Sequence, residues 1–308
     1  MRTARIAGWG TALPEKIVTN DDLAAVLDTS DEWIRERSGI RQRHIGGTTS
    51  GLAIEAGQRA LAHAGVAPND VGLVVLCTST PDQQLPATAS TVQHELGLTC
   101  GAFDVNAACS GFVYGLVTAY QFVAGGVDRV LLMGSETMSR IIDWDERTTA
   151  VLFGDGAGAL VLEAAEGEPS LLGWDLGSDG SLRSILDADI GGFMRMEGKE
   201  VFRRAVRVMI DSCNRTMQKA GVTSADIGLF VPHQANIRII DSANAKLGFS
   251  MEQTAVVLDR TGNTSAASIP IALDDAAANG RLKPGDLVLM CGFGAGMTWS
   301  SALVRWSR

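Results

Sequence analysis

Short apolar runs alternate with longer segments of helical period along this chain of 308 residues. Apolar runs in the first half predict buried strands at 71–76, 102–105, 129–133 and 158–162. The segments between them have the spacing of helices, at 51–64, 87–96 and 111–124. This alternation predicts β-α-β units and a mostly parallel sheet covered by helices.

The second half repeats the same order of elements. It predicts helices and strands at 200–220, 229–232, 237–246, 256–258, 266–278 and 286–291. The polar segment 164–169 interrupts the pattern, so we divide the chain into an N-terminal half, 1–165, and a C-terminal half, 166–308. Segment 177–196 is rich in glycine and aspartate and lacks a clear period. It is either a flap beside an active site or a plain surface excursion.

Charge and residue usage exclude several classes of protein. The formal net charge of −9 argues against non-specific nucleic-acid binding. The five cysteines form no C-x-x-C pair, and neither they nor the four histidines have the spacing of zinc ligands. We therefore expect no metal and a reduced, cytoplasmic protein. The sequence contains no apolar run typical of a signal peptide or a transmembrane helix, so we expect no membrane partner.

Cys109 follows a predicted strand and precedes the helix predicted at 111–124. Unpaired backbone N–H groups and the helix dipole favour an anion at such a position. We therefore expect the pKa of this thiol to be lowered towards neutrality, which is typical of a nucleophile. The alternative is a small apolar cysteine in the core, the usual role of an isolated cysteine.

Two further segments carry polar side chains beyond predicted strands. His233 follows the strand predicted at 229–232, at the sheet edge where α/β folds bind their ligands. It is either a functional imidazole or a hydrogen-bonded structural residue. Asn263 precedes the helix predicted at 266–278, where it is either a turn residue with a helix cap or a donor to a developing oxyanion.

These segments match one family when they are taken together. In chain order they are N-A-A-C-S-G, V-P-H-Q-A-N-I-R-I, G-N-T-S-A-A-S-I-P and G-F-G-A-G-M-T-W, with further matches at 28–34, 37, 39–41 and 153–158. From about Ile6 to Arg305 the chain resembles ketoacyl-acyl carrier protein synthase III, the initiating condensing enzyme of bacterial fatty acid synthesis. The resemblance implies an α/β, thiolase-like fold, with two similar α/β halves forming a five-layered αβαβα architecture.

The resemblance implies a catalytic triad of Cys109, His233 and Asn263. An acyl group would pass from acyl-CoA to Cys109, and malonyl-acyl carrier protein would then lose carbon dioxide and attack the thioester. The product would be a 3-oxoacyl-acyl carrier protein. The backbone N–H groups of Cys109 and Ala295 would form an oxyanion hole. The coenzyme A thioester is a substrate in this scheme, and no cofactor is implied.

Substrate contacts also carry over from the family. Trp33 and Arg147 match positions that stack on the adenine of coenzyme A, and Arg37 matches a phosphate contact. The remaining positions matched to substrate contacts are Thr29, Gly198, Phe293 and Leu85.

The family also implies partners. Arg238 and Lys246 match a basic patch that docks acyl carrier protein, and a homodimer is expected to pair through a strand near 102–106. The Leu85 loop of one subunit would then line the pocket of the other.

Some positions depart from the family pattern and leave the acyl preference open. Segment 178–196 is shorter than in familiar members, and Lys199 stands where an asparagine is common. Leu85 occupies a position where a large aromatic residue narrows the acyl pocket.

Three other functions are compatible with parts of the pattern. A relative in secondary metabolism would form a different product, such as an ester or amide in place of a carbon–carbon bond. A degenerate partner subunit would usually lack the nucleophile, whereas Cys109 is present. A dinucleotide-dependent oxidoreductase would need a complete glycine fingerprint, and the segment from Gly8 lacks its third glycine.

Overall fold

The computed structural model describes residues 1–307, which form a mixed α/β protein. The strands are β1 (Arg2–Ala12), β2 (Ile17–Thr19), β3 (Gln42–His44), β4 (Leu73–Cys77), β5 (Gly101–Val105), β6 (Arg129–Thr137), β7 (Asp155–Glu166), β8 (Leu171–Ser178), β9 (Leu186–Asp187), β10 (Arg195–Met196), β11 (Leu229–Pro232), β12 (Leu287–Gly294) and β13 (Thr298–Arg305). The helices are α1 (Asn20–Ala24), α2 (Asp31–Ser38), α3 (Thr49–Ala64), α4 (Thr88–Glu95), α5 (Gly111–Ala124), α6 (Arg147–Ala150), α7 (Gly198–Ala220), α8 (Ile237–Leu247), α9 (Leu258–Thr261) and α10 (Ser268–Ala278).

Two mixed sheets form the frame of the molecule. The first has the strand order β1-β7-β6-β4-β5 and the second the order β11-β12-β13-β8. Strand β4 runs parallel to β5 and β6, and β11 runs parallel to β12, but the remaining pairs in these two sheets are antiparallel. The predicted mostly parallel sheet is therefore wrong. The strands β1, β8 and β13, which the apolar runs did not reveal, add antiparallel neighbours.

Helices and sheets alternate in five layers. Helices α3 and α4 pack on the outer face of the first sheet, and α7 and α8 pack on the outer face of the second. Helices α5 and α10 lie between the two sheets, in one core with side chains from both. Because α5 is covered on all sides, it is apolar around most of its circumference. The predicted five-layered, thiolase-like fold is confirmed.

Helix ends are set by local capping. The Thr48 side chain accepts from the Gly51 N–H at the start of α3, and the Asn236 side chain accepts from the Arg238 N–H at the start of α8. At its end α8 stops at Gly248, which has a φ of 81° that other residues adopt only with strain. The start of α8 fixes the exit of the His233 segment from strand β11.

The strand predicted at 256–258 is wrong. Thr254 makes only an isolated bridge to Phe230, and the chain turns into the short helix α9 at Leu258. The side-chain oxygen of Gln234 accepts from the Val257 N–H at 2.9 Å, in place of a neighbouring strand. A side chain therefore satisfies the backbone that the apolar pattern assigned to a sheet.

The connections place the predicted site between the two sheets. The strands of the first sheet come from residues 2–166 and those of the second from residues 171–305. Cys109 follows β5 and His233 follows β11, so both lie beyond the carboxyl ends of parallel strands. No helix within residues 1–307 combines the length and the apolar character needed to cross a membrane.

Candidate active site

A cavity of about 560 Å³ contains the three side chains predicted to form the triad. Cys109, His233 and Asn263 line it and are almost completely buried, at 8%, 1% and 5% exposed. Trp33 and Arg37 also line it and are more accessible to solvent. The cavity therefore leads from a cationic and aromatic entrance to a dry end with a thiol, an imidazole and a carboxamide.

The backbone around Cys109 is held in an unusual conformation. Ala108 has a φ of 47°, which a non-glycine residue adopts only with strain, and its N–H donates to the Asn106 side chain at 3.1 Å. A Cβ added at Gly294 would stand 2.6 Å from the Cys109 nitrogen. Glycine at this position therefore lets the end of β12 lie directly against the backbone of the nucleophile segment.

Burial dominates the ionisation of Cys109. It raises the pKa of the thiol to about 12, the neighbouring Ser265 side chain lowers this pKa, and the charge of Glu136 raises it further. The expected shift towards neutrality is therefore opposed by the structure. A helix N-terminus stabilises an anion by at most about 2 kcal/mol, and the desolvation of a fully buried thiolate outweighs it.

His233 is neutral and held from both sides. The backbone N–H of His233 donates to the Cys291 carbonyl at 2.7 Å, and the ring Nδ1 lies 2.7 Å from Ser268 Oγ, which also accepts from the Gln234 backbone N–H. Because Ser268 Oγ has no other acceptor in residues 1–307, its hydrogen goes to Nδ1, and the imidazole carries its own hydrogen on Nε2. Burial lowers the pKa of His233 to about 3.

Nε2 of His233 is buried and has no partner in the part of the chain that the structure describes. Asn263 brings a second free donor. Its Oδ1 accepts from the Ser265 N–H at 2.9 Å, which turns Nδ2 away from that contact, and Nδ2 has no acceptor within residues 1–307. The cavity end therefore offers two unpaired N–H donors beside a thiol, an arrangement suited to a developing oxyanion.

Trp33 and Arg147, the predicted adenine-binding residues, form a closed stack with Arg37. The guanidinium carbons of Arg37 and Arg147 lie 4.6 and 4.7 Å from the Trp33 ring centre. An aromatic ring inserted between Trp33 and Arg147 needs about 3.5 Å on each face. Arg147 must therefore move by about 2 Å to admit one, away from the Asp28 carbonyl to which it donates at 2.6 Å.

The other predicted substrate contacts divide into two groups. Gly198, Phe293 and Ala295 line the cavity, as their predicted roles require. Thr29 and Leu85 are not among the lining residues, and Leu85 is 83% exposed.

The two predicted carrier-protein contacts lie on helix α8, outside the cavity. The Arg238 guanidinium lies 5.8 Å from the ring centre of Phe202, a cavity-lining residue. Lys246 is exposed in the last turn of the helix. The roles assigned to the site residues stay predictions.

The structure adds residues that the sequence reasoning missed. Ser268 orients His233, and Ser265 lines the cavity with Cys109 and donates to the buried Glu136. The sequence did offer a signal for Glu136. It is an acidic residue just beyond the strand predicted at 129–133, and the observed strand β6 extends through it to Thr137. Five residues of segment 177–196 line the cavity, which favours the flap interpretation: Leu186, Asp187, Ala188, Met194 and Met196.

Comparison with known proteins agrees with this architecture. Residues 103–180 and 217–306 match the family models described as 3-Oxoacyl-[acyl-carrier-protein (ACP)] synthase III and its C-terminal part. A beta-ketoacyl-[acyl-carrier-protein] synthase III of Erythrobacter litoralis is 52% identical, over 99% of this chain and all of its own length.

Solved structures agree as well. The 3-oxoacyl-[acyl-carrier-protein] synthase III of Aquifex aeolicus is 44% identical with a TM-score of 0.97, covering 98% of this chain and 100% of its own. A priming beta-ketosynthase from the R1128 polyketide pathway is 36% identical with a TM-score of 0.94, covering 99% and 96%. The chain therefore belongs to the 3-oxoacyl-[acyl-carrier-protein] synthase III family of condensing acyltransferases.

Proposed function

We propose that this enzyme condenses an acyl-CoA starter with malonyl-acyl carrier protein through an acyl-Cys109 intermediate. The product is a 3-oxoacyl-acyl carrier protein, the first elongated intermediate of fatty acid synthesis. The observation that carries the proposal is the convergence of a thiol and two unpaired N–H donors at the closed end of one cavity.

The first half-reaction is thioester exchange. A thiolate is both a soft nucleophile and a good leaving group, so Cys109 can accept the acyl group from coenzyme A and later release it. The N–H groups of Cys109 and Ala295 are proposed to stabilise the tetrahedral intermediate. The close approach of β12 at Gly294 supports this pairing, because it brings the two backbone segments together.

The second half-reaction is decarboxylation. Loss of carbon dioxide from the malonyl group develops negative charge on its thioester oxygen. We expect His233 Nε2 and Asn263 Nδ2 to donate to this oxygen. One such donor lowers the activation free energy by about 3 kcal/mol. Because His233 is neutral in the cavity, it can donate without a preceding protonation step.

The entrance supports the choice of substrates. Arg37, Lys199 and Arg238 have no carboxylate partner within residues 1–307, although the chain has a formal net charge of −9. Unpaired cations at a cavity entrance favour the phosphates of coenzyme A and an acidic carrier protein. We also propose that the enzyme is a homodimer.

Mass spectrometry of the intact protein tests the acyl intermediate. After incubation with a panel of acyl-CoA thioesters, we expect a mass increase equal to one acyl group, on the peptide containing Cys109. Cys109→Ala should gain no mass. Labelling of the Cys109→Ala protein to the same extent as wild type would refute the intermediate.

A second candidate function is starter condensation in secondary metabolism. The likeness to the priming beta-ketosynthase of a polyketide pathway favours it. The two functions differ in the acceptor. Turnover with the malonyl-loaded carrier protein of fatty acid synthesis, compared with polyketide carriers and with amine and alcohol acceptors, separates them.

A further inference from the structure

Glu136 is a buried carboxylate next to the nucleophile, and the reaction described above does not use it. It is 0% exposed, and no Lys, Arg or His within residues 1–307 pairs with it. Its oxygens accept from neutral donors, which belong to Thr78, Ser79, Thr80, Ser265 and Ala266. Because burying a charge without a counter-ion is costly, a carboxylate at this place requires an explanation.

Ser265 connects this carboxylate to the thiol. Its hydroxyl donates to Glu136 Oε1 at 2.9 Å, and Ser265 and Cys109 both line the cavity. A serine hydroxyl has one hydrogen to donate and two lone pairs that accept. With that hydrogen directed at Glu136, the lone pairs are available to the Cys109 S–H. Ser265 also has a φ of 49°, a strained conformation that the surrounding structure must enforce.

The charge of the cavity decides where the thiol proton goes. Releasing it to solvent would leave two negative charges in a dry site, on Cys109 and on Glu136, and each raises the cost of the other. Passing it to Glu136 keeps the buried charge at one. The second route offsets the desolvation of the Cys109 thiolate, because it neutralises a carboxylate that is also buried.

We propose that Glu136 accepts the proton of the Cys109 thiol through the Ser265 hydroxyl. The S–H bond of Cys109 breaks, Ser265 Oγ gains that proton, and the original Ser265 hydrogen moves to Glu136 Oε1. The Cys109 thiolate then attacks the acyl-CoA carbonyl. The proton returns by the same path to the coenzyme A thiolate that leaves in the first half-reaction. In the second half-reaction decarboxylation consumes one proton from solvent, which restores the Cys109 thiol.

The other ionisable groups near Glu136 do not compete with Cys109 as the donor of a proton to it. Burial raises the pKa of Cys77, on β4, well above its usual range. Asp104, on β5, accepts from backbone N–H groups at the start of α4, and Arg140, after β6, donates to carbonyls in the loop following β4. These three groups form no hydrogen bond with Glu136.

Alkylation of Cys109 by iodoacetamide tests the proposal without using acyl-CoA. The inference rests on the proposed function, but the alkylation rate depends only on the thiol. The proton relay and the proposed function can therefore fail independently of each other. Rates are followed for each cysteine by peptide mass spectrometry. In the wild type we expect a plateau above neutral pH, because thiol and carboxylate share one proton and thiolate formation there does not depend on solvent pH.

Glu136→Gln should slow alkylation of Cys109 at pH 7 by about tenfold or more and replace the plateau with a rise of about tenfold per pH unit. Ser265→Ala should do the same while leaving Glu136 in place. Simple electrostatics predicts the opposite sign, because removing a nearby negative charge favours a thiolate. Faster alkylation in Glu136→Gln would therefore overturn the proposal.

Asp155→Asn is the matched control. Asp155, on β7, is also a buried carboxylate held by a serine hydroxyl and backbone N–H groups, and burial raises its pKa too, but its serine partner is Ser139 and not Ser265. We expect a pH profile of the wild-type shape in this variant. Loss of the plateau in Asp155→Asn would make the effect structural and overturn the relay, as would a plateau retained in Ser265→Ala.

Discussion

His233 and Asn263 each bring to the cavity one N–H donor that no other group in residues 1–307 satisfies. His233→Ala and Asn263→Ala should each lower decarboxylation of malonyl-acyl carrier protein by about two to three orders of magnitude, the usual effect of removing one oxyanion donor. Release of carbon dioxide from labelled malonyl-acyl carrier protein measures this rate. The two losses need not add, because both donors act on the same charge.

Cys109→Ala tests the other half-reaction, the acyl transfer. It should abolish acyl transfer and condensation but keep measurable carbon dioxide release. Both donor variants should still accept an acyl label on Cys109, although more slowly. Decarboxylation at the wild-type rate in His233→Ala or Asn263→Ala would show that these donors do not serve this step.

Ser268 is a positioning residue for His233. Ser268→Ala removes the hydrogen bond that places the imidazole hydrogen on Nε2, so decarboxylation should fall by about tenfold, equivalent to roughly 1.4 kcal/mol. Ser268→Thr keeps a hydroxyl and should restore most of the rate. Acyl labelling of Cys109 should change little in either variant, whereas a purely structural loss would lower both half-reactions together.

The pH dependence follows from the same environment. Burial lowers the pKa of His233 to about 3, below the ordinary value, so the imidazole stays neutral as the pH falls from 8 to about 5. We therefore expect no loss of decarboxylation near the ordinary histidine pKa of about 6.5. An acid limb there that disappears in His233→Gln would contradict this assignment.

At the scale of elements, the Leu85 loop is anchored beside an exposed strand. The Asp104 carboxylate on β5 accepts from the Thr88 and Ala89 N–H groups at the start of α4, just after the loop. Leu85 itself is 83% exposed and does not line the cavity of its own chain. If it lines a partner's pocket, Leu85→Phe should shift kcat/KM towards shorter acyl-CoA starters, because the larger ring fills the acyl end.

Measuring kcat/KM across a series of chain lengths checks this prediction. Leu85→Ala is the control and should leave longer starters at least as well accepted as in the wild type. Because Leu85 is exposed within one chain, neither variant should lower the thermal stability of the subunit by much. An unchanged chain-length profile in Leu85→Phe would remove Leu85 from the determinants of specificity.

The sequence pattern predicted the bounds of a helix or strand well where the residues of that segment alone determine its structure. Helix α5 and strand β11 have the bounds expected from the sequence, because α5 is a long apolar segment and β11 is a short buried run. Strand β1 was missed because it is defined by pairing with β7, more than a hundred residues away. Strand direction likewise depends on distant connections, which explains the wrong expectation of a mostly parallel sheet.

At the scale of the whole molecule, ordered motifs were enough to predict the family and to select three side chains that meet in one cavity. The electrostatics of the site were not accessible in this way. The sign of the Cys109 pKa shift depends on burial by both halves of the chain, and the contact between Glu136 and Ser265 joins residues 129 positions apart. Such terms arise only when the two sheets are packed together.

Strand β5 ends the first sheet and leaves one side of its backbone unpaired. The aromatic rings of Phe103 and Phe122 lie beside this edge, 6.0 Å apart, and Phe122 is 40% exposed. An exposed, partly apolar edge strand favours pairing with a second copy, so we expect light scattering at micromolar concentration to give twice the chain mass of 32.4 kDa.

Phe122→Glu should weaken the dimer by about tenfold or more, since it places a charge at the contact. Trp174→Glu, on the edge strand β8 of the other sheet and 41% exposed, is the matched control and should remain dimeric. A monomeric wild type would refute the dimer, and dissociation by Trp174→Glu alone would move the interface to β8.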